Sequence, residues 1–304
     1  MIEVHNLTKR FGQTNAVDDV TFTVRPGVVT GFLGPNGAGK TTTLRAIAGL
    51  HRPTSGSTAV NGKPLHEHAA PLRQLGVLLD AGNLQPGRSA RAHLSAIAAT
   101  HRIGRRRVDE VLELTGIQEV AKRRAGKFSL GMRQRLGIAA ALLGDPHTVV
   151  LDEPINGLDP DGVIWVRKLL KQLAQEGRTV FLSSHLMSEM SLTADHLIII
   201  GRGRLIADAP LAEILAATSD TRVSVRTPDA SALIAALLSR GITVRSFGGD
   251  RFEVLGVDAA DIADVAAGIG ARMHELSTQE TSLEDAYLSL TESSVQYRAT
   301  APTV

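Results

Sequence analysis

Gly34-Pro35-Asn36-Gly37-Ala38-Gly39-Lys40-Thr41-Thr42 is the stretch that decides how this chain is read. It fits the pattern G-x-x-x-x-G-K-[ST], with Gly34, Gly39, Lys40 and Thr41 at the fixed positions. Glycines in such a loop let backbone N–H groups turn inward onto phosphates, because a Cβ would clash or forbid the required φ angles. Pro35, Asn36, Gly37, Ala38 and Thr42 belong to the same phosphate-binding set. Lys40 is expected to reach the β and γ phosphates, and Thr41 to offer its hydroxyl to Mg²⁺. The helix beginning near Gly39 points its positive dipole end at the same anion. Val28 to Leu33 is an apolar, strand-like run, and Leu44, Ile47 and Ala48 make one buried helix face. Strand, loop and helix in that order are what a phosphate-binding loop requires, and they argue against a plain glycine turn beside a surface lysine.

Farther along, Val149-Val150-Leu151 leads into Asp152-Glu153-Pro154, an apolar strand whose carboxylates emerge at its C-terminal end. Open parallel sheets bind ligands at that edge. Asp152 suits the ordering of Mg²⁺, and Glu153 can polarise a water for attack on a γ-phosphorus. Phe128-Ser129-Leu130-Gly131-Met132-Arg133-Gln134-Arg135 lies between these two motifs. Ser129 reads as a helix N-cap and Gly131 permits close approach of backbone to a ligand, so this helix start reads as a second anion site. Gly157-Leu158-Asp159-Pro160 and Ser183-Ser184-His185 follow. A lone histidine at a strand end is usually structural, but His185 stands in company with the other motifs.

The 304 residues suffice for one large domain and a smaller one, and a 43% hydrophobic content can bury a real core. Lysine and arginine number 33 against 31 acids, which lends nucleic-acid binding no support. The absence of cysteine excludes a disulfide framework or a thiolate metal site. The apolar runs Leu136 to Leu143 and Leu197 to Ile200 fall far short of the roughly twenty residues that cross a bilayer, so a soluble chain is expected. The N-terminus runs directly into the strand-like Ile2 to Leu7 without a basic-then-apolar signal, and export is not expected.

Strand-like segments at Val20 to Val24, Val28 to Leu33, Leu75 to Leu79, Thr148 to Leu151, Thr179 to Leu182 and His196 to Ile200 alternate with helix-like ones. The fold class is therefore α/β, with a mainly parallel sheet, antiparallel β elements and an inserted helical subdomain at about 84–144. After a linker helix at Pro210 to Thr218, the pattern of residues 219–292 reads βαββαβ, a small α+β ferredoxin-like domain. Residues 293–304 lack periodicity and are expected to be a disordered tail. The first domain is placed at 1–218.

This succession of motifs resembles the ATP-binding subunit of ABC transporters over Met1 to about Leu215. The resemblance implies a P-loop ABC ATPase core that binds ATP and Mg²⁺. Gly34 to Thr42 match the Walker A loop, Asp152 the Walker B aspartate and Glu153 the general base or water-orienting carboxylate. Ser129, Gly131 and Met132 match the signature sequence, Asp159 the dimer-contacting loop and His185 the γ-phosphate switch. Phe11 looks like the aromatic that stacks on adenine; a core phenylalanine is the alternative. In this family two subunits face head to tail with ATP between them, because the second helix N-terminus completes the charge stabilisation that one loop leaves unfinished. A second ATP-binding subunit, in a homodimer, and a separately encoded multi-spanning permease are implied, on the inner face of the membrane.

Two departures stand out. The signature reads Ser-Leu-Gly-Met-Arg where Ser-Gly-Gly-Gln is commoner. Asp80 ends the strand at Leu75 to Leu79 where the family usually has glutamine; it could ligate Mg²⁺, or be a solvated turn aspartate. These, with the small C-terminal domain and the segment Ser282 to Leu288, look like the bacitracin and daunorubicin exporter type, implying efflux of hydrophobic or amphipathic compounds. The basic clusters Arg102 to Arg107 and Lys122 to Arg124 could meet lipid headgroups or the permease, or be the wet side of helices. A soluble ABC-type ATPase acting as a mechanical or regulatory clamp is the alternative. Only about ninety residues separate loop and signature, without the sustained heptads of chromosome-maintenance relatives, and there is one cassette where translation-type relatives carry two.

Overall fold

The alternating apolar pattern resolves into two units, Met1–Leu211 and Ala212–Leu290, in the computed structural model of the chain. It describes residues 1–82, 84–217, 222–279 and 282–291. The expected tail at 293–304 and the expected domain junction at 218–219 lie outside the described residues.

The first unit opens with β1 (Ile2–Phe11) and β2 (Thr14–Val24), an antiparallel pair. Along β2, Val20, Phe22 and Val24 are buried while Thr21 and Thr23 are exposed, the alternation of a strand with one wet face. Every residue of β3 (Val29–Leu33) is buried, as befits a central strand covered on both faces. The chain continues through α1 (Lys40–Ile47), β4 (Ser55–Val60), the short α2 (Pro71–Gln74) and β5 (Leu75–Leu78). Three helices follow, α3 (Ala90–Thr100), α4 (Arg105–Leu114) and α5 (Leu130–Leu142). Val108, Val111 and Leu112 form the buried stripe of α4 at helical spacing. Arg106 and Arg107 on that helix pair with Glu110 at 3.0 and 3.3 Å, so part of the first basic cluster is engaged within the chain.

Next come β6 (Thr148–Asp152), α6 (Pro160–Gln175), β7 (Thr179–Ser183), α7 (Met187–Thr193), β8 (His196–Gly201) and β9 (Arg204–Pro210). β4 joins β1 on its free side, giving a three-stranded antiparallel sheet ordered β2-β1-β4. The larger sheet runs β5-β6-β7-β3-β8-β9, parallel throughout except for β9. The sheets share a core in which Phe22 of β2 meets Phe32 of β3 and Phe181 of β7, with ring centroids 5.1 to 5.8 Å apart. β4 and β9 do not stand out in the sequence pattern. Ser55-Gly56-Ser57-Thr58 offers no apolar alternation, and β9 is an edge strand with no fully buried residue.

The second unit includes α8 (Leu211–Ala217), except its first residue, followed by β10 (Arg222–Arg226), α9 (Ala230–Ser239), β11 (Thr243–Ser246), β12 (Arg251–Leu255), α10 (Ala259–Gly268), β13 (Glu275–Gln279) and α11 (Leu283–Thr291) through residue 290. Its sheet is antiparallel in the order β11-β12-β10-β13, the ferredoxin-like arrangement. Val223, Val225, Leu233, Phe252, Val254 and Ile262 form its core. Burial holds the Tyr287 phenol on α11 well above its ordinary pKa, at about 12.

Within the first unit α5 lies close on β5, and Gly76 permits the approach: a Cβ there would sit 2.0 Å from the Ala141 carbonyl oxygen. Gly76→Ala is therefore expected to destabilise the first unit by about 1–3 kcal/mol. Thermal unfolding followed by circular dichroism checks this, and a melting curve superimposable on the parent's contradicts the packing described.

Candidate functional site

Three neighbouring parallel strands deliver the polar groups of the site at their C-terminal ends. β6 ends in Asp152, which registers opposite Ser183 at the end of β7, and β7 in turn pairs Ser183 with Phe32 of β3. The loop Gly34 to Gly39 leaves β3 directly and feeds α1. Gly39 occupies the N-cap of α1 at φ +102°, and a Cβ there would lie 2.3 Å from the Ala16 carbonyl oxygen. Conformation and space both require glycine.

Loop and strand ends enclose a cavity of about 360 Å³ lined by Ala16, Pro35, Asn36, Gly37, Ala38, Gly39, Lys40, Thr41, Thr42, Asp152 and Glu153. The sequence-predicted phosphate loop and both acids of β6 and its exit thus meet in one place. Lys40 is buried, with Nζ donating to the Gly34 carbonyl at 2.5 Å and to the Pro35 carbonyl at 3.3 Å. Burial lowers the pKa of its ammonium group, while the charges of Glu153 and Asp152 act in the opposite sense. Thr41 Oγ1 donates to Asp152 Oδ2 at 2.8 Å. A threonine hydroxyl beside one carboxylate suits Mg²⁺, which usually takes one or two carboxylates plus phosphate oxygens and water. No group of three or more His, Cys, Asp or Glu is arranged as a metal cage among the described residues.

Glu153 follows the strand with φ +51°, in the left-handed region. Sparsely populated backbone conformations of this kind cost about 1–3 kcal/mol and persist only where the surroundings impose them. Four contacts surround this residue. Its N–H donates to Ser183 Oγ at 3.0 Å, and its carbonyl accepts from Gln134 Nε2 at 2.7 Å. The same carbonyl accepts from the N–H of Asn156 at 3.2 Å. Its carboxylate Oε2 meets His185 Nδ1 at 2.8 Å, so His185 reaches the site through Glu153. Ser183 Oγ also donates a short hydrogen bond to Asp152 Oδ1. Gln134 and Ser183 are absent from the sequence-derived site set. Motif spacing gives no signal for them, because their partners are groups that only the fold brings near.

The remaining expected residues lie outside the cavity lining. Ser129 caps α5 by accepting from the N–H of Met132 at 3.2 Å, and Asp159 caps α6 by accepting from the N–H of Gly162 at 3.0 Å. A Cβ on Gly131 would stand 3.0 Å from the Gly157 carbonyl oxygen, so the start of α5 and the loop before α6 lie against each other. Arg135 on α5 sits over the ring of Trp165 on α6, 4.6 Å from its centroid. Phe11 is 48% exposed, which removes the core reading; Lys9 Nζ lies 5.1 Å from its ring centroid and His51 meets it edge-on at 5.6 Å. The metal-ligand reading of Asp80 gains no support from the geometry. Asp80 is exposed, its Oδ1 accepts from the N–H of Gly82 at 2.7 Å, and it does not line the cavity.

A glycine-rich loop between a parallel strand and a helix, with lysine, threonine and two acids around one cavity, defines a P-loop nucleotide-binding protein. Comparison with known proteins narrows the class. Residues 17–156 match the family described as "ABC transporter", and residues 221–284 match a domain of unknown function. The bacitracin transport ATP-binding protein of Bacillus licheniformis is 42% identical over 69% of this chain and 70% of its own length. The daunorubicin resistance ATP-binding protein of Streptomyces coeruleorubidus is 32% identical over 95% of each. A dimeric bacterial ABC transporter cassette superimposes with a TM-score of 0.63 at 26% identity, covering 69% of this chain and 99% of that one. The chain belongs to the ABC transporter ATP-binding protein family, homologous to the ATPases of antibiotic and drug exporters, and the reading as a non-transport clamp is not favoured.

Lys40→Ala removes the buried ammonium that the loop presents to phosphate. ATP affinity is expected to fall on the order of tenfold to a hundredfold. Titration calorimetry measures it, and undiminished binding contradicts the role given to the loop.

Proposed function

We propose that this chain hydrolyses ATP together with a second copy facing it head to tail, and so drives efflux of a hydrophobic or amphipathic compound through a separate membrane subunit. The observation that carries the reading is the carboxylate of Glu153 at the phosphate-loop cavity, held by His185 and adjacent to the Thr41–Asp152 pair. Lys40 and the loop N–H groups bind the β and γ phosphates, as does the positive end of α1. Thr41 and Asp152 hold Mg²⁺, which when bound neutralises charge on those phosphates. Glu153 orients a water and accepts its proton as the water attacks the γ-phosphorus, while the bond from that phosphorus to the β–γ bridging oxygen breaks and ADP leaves with the electron pair. His185 fixes that carboxylate and senses the γ-phosphate. The half-exposed Phe11 stacks on the adenine.

Ser129, Gly131, Met132 and Asp159 lie outside the cavity of their own chain, which supports their use on the nucleotide of a second one. The helix N-terminus capped by Ser129 adds positive potential there. The dimeric cassette supports this pairing, and the transport and resistance roles named for the relatives support export of drug-like molecules. The chain then sits at the inner face of the membrane, docked on its permease.

Glu153→Gln is expected to lower phosphate release by about two to four orders of magnitude while ATP stays bound and the dimer persists in gel filtration. Unchanged phosphate release removes Glu153 from the hydrolytic role. The tagged chain is also expected to sediment with membranes and co-purify with a multi-spanning protein; recovery from the soluble fraction alone counts against transport.

A further inference from the structure

We propose that Gln134 and Ser183 are positioning residues for the hydrolytic step, clamping the two peptide groups that flank Glu153 so that its carboxylate faces the phosphate-loop cavity. The inference rests on Glu153 being the hydrolytic carboxylate.

Glu153 departs from the strand conformation at φ +51° immediately after β6 ends. Among the described residues other than glycine, Asn6, Asp19, Asn61, Arg102, Asp145 and Arg202 share a positive φ. Asparagine and aspartate enter that region readily because their short polar side chains bond locally; glutamate lacks this advantage. Intrinsic preference therefore does not fix the conformation; beside the local turn bond from the Asn156 N–H, tertiary contacts hold it.

Two buried side chains from separate elements supply such contacts. Gln134 is 3% exposed, and its amide reaches from α5 to the Glu153 carbonyl at 2.7 Å. Its neighbours Leu136, Gly137, Ile138 and Ala139 are also buried. An amide in such surroundings is costly unless hydrogen-bonded, so the contact is maintained. Ser183 is fully buried at the end of β7. Its single hydroxyl proton goes to Asp152 Oδ1, while its oxygen accepts the Glu153 N–H at 3.0 Å. One atom thus fixes the carboxylate of Asp152 relative to the peptide of Glu153. Neither Gln134 nor Ser183 lines the cavity, so both act through Glu153 and not on the nucleotide.

Steady-state ATP hydrolysis by the full chain tests the proposal. Gln134→Met keeps the side-chain length without the donor, and Ser183→Ala deletes a single oxygen. Each is expected to lower kcat by about tenfold; KM for ATP stays little changed in Gln134→Met, which touches only the Glu153 peptide, while Ser183→Ala also frees Asp152 Oδ1 and is expected to raise the Mg²⁺ concentration needed for half-maximal rate. Retained ATP binding reports that each variant is folded; should Gln134→Met fail this, Ser183→Ala decides alone. Adding Gln134→Met to Glu153→Gln is expected to leave the residual single-turnover rate nearly unchanged, because the group being positioned is gone; Ser183→Ala stands outside this comparison because it also releases Asp152. A kcat within about twofold of the parent in the folded variants, or the same loss with and without Glu153, overturns the proposal. If Glu153→Gln alone leaves phosphate release intact, the hydrolytic reading fails and this inference goes with it. A slow Glu153→Gln beside fully active Gln134→Met and Ser183→Ala overturns the positioning role alone.

Discussion

The carboxylate of Asp152 has its two oxygens engaged by two different elements, Thr41 at the start of α1 and Ser183 at the end of β7. Hydrogen bonds to an ionised acceptor are roughly twice as strong as neutral ones. Through them a single half-buried group ties the loop that leaves β3 to the ends of two adjoining strands. The arrangement is possible because β6, β7 and β3 are adjacent and parallel, so their C-terminal ends arrive together. The cavity, the placement of Lys40 and the turn at Glu153 all depend on that coincidence.

Support for the strand ends comes from both sides of the larger sheet. Phe22, carried by the smaller antiparallel sheet, packs against Phe32 and Phe181, and these two lie on the strands that end at the site. On the helical side α5 approaches β5 closely enough that Gly76 tolerates no side chain. Gln134 then carries the position of α5 to the peptide of Glu153. The helix capped by Ser129 and the carboxylate proposed for hydrolysis are therefore parts of one mechanical unit within a chain.

Much of this was legible in the order of residues, for physical reasons that differ by element. The phosphate loop can be read because its chemistry is local: glycines, lysine and threonine act at fixed distances along the backbone. Buried parallel strands can be read because a strand covered on both faces is mostly apolar, as Val149-Val150-Leu151 of β6 is. β4 escaped because its serines and glycine are held by pairing with β1 and not by burial. Gln134 and Ser183 escaped for a related reason, since a glutamine beside an arginine-rich helix start looks like any polar surface residue. Its partner is a carbonyl nineteen positions away, which carries no side-chain signature. Phe11 and Asp80 each admitted two readings from sequence. Exposure decided the first against a core role, and the Asp80 carboxylate is engaged by its own turn.

The contact between Arg135 and Trp165 has a practical side. Trp165 is the sole tryptophan of the chain, and it sits where α5 meets α6, half-buried beneath a guanidinium. Indole emission responds to the polarity and charge around the ring, so the tryptophan fluorescence of the protein, excited apart from its two tyrosines, originates at this one junction. Any shift of the helix bearing Ser129 against the helix headed by Asp159 is thus written into the emission spectrum without a label.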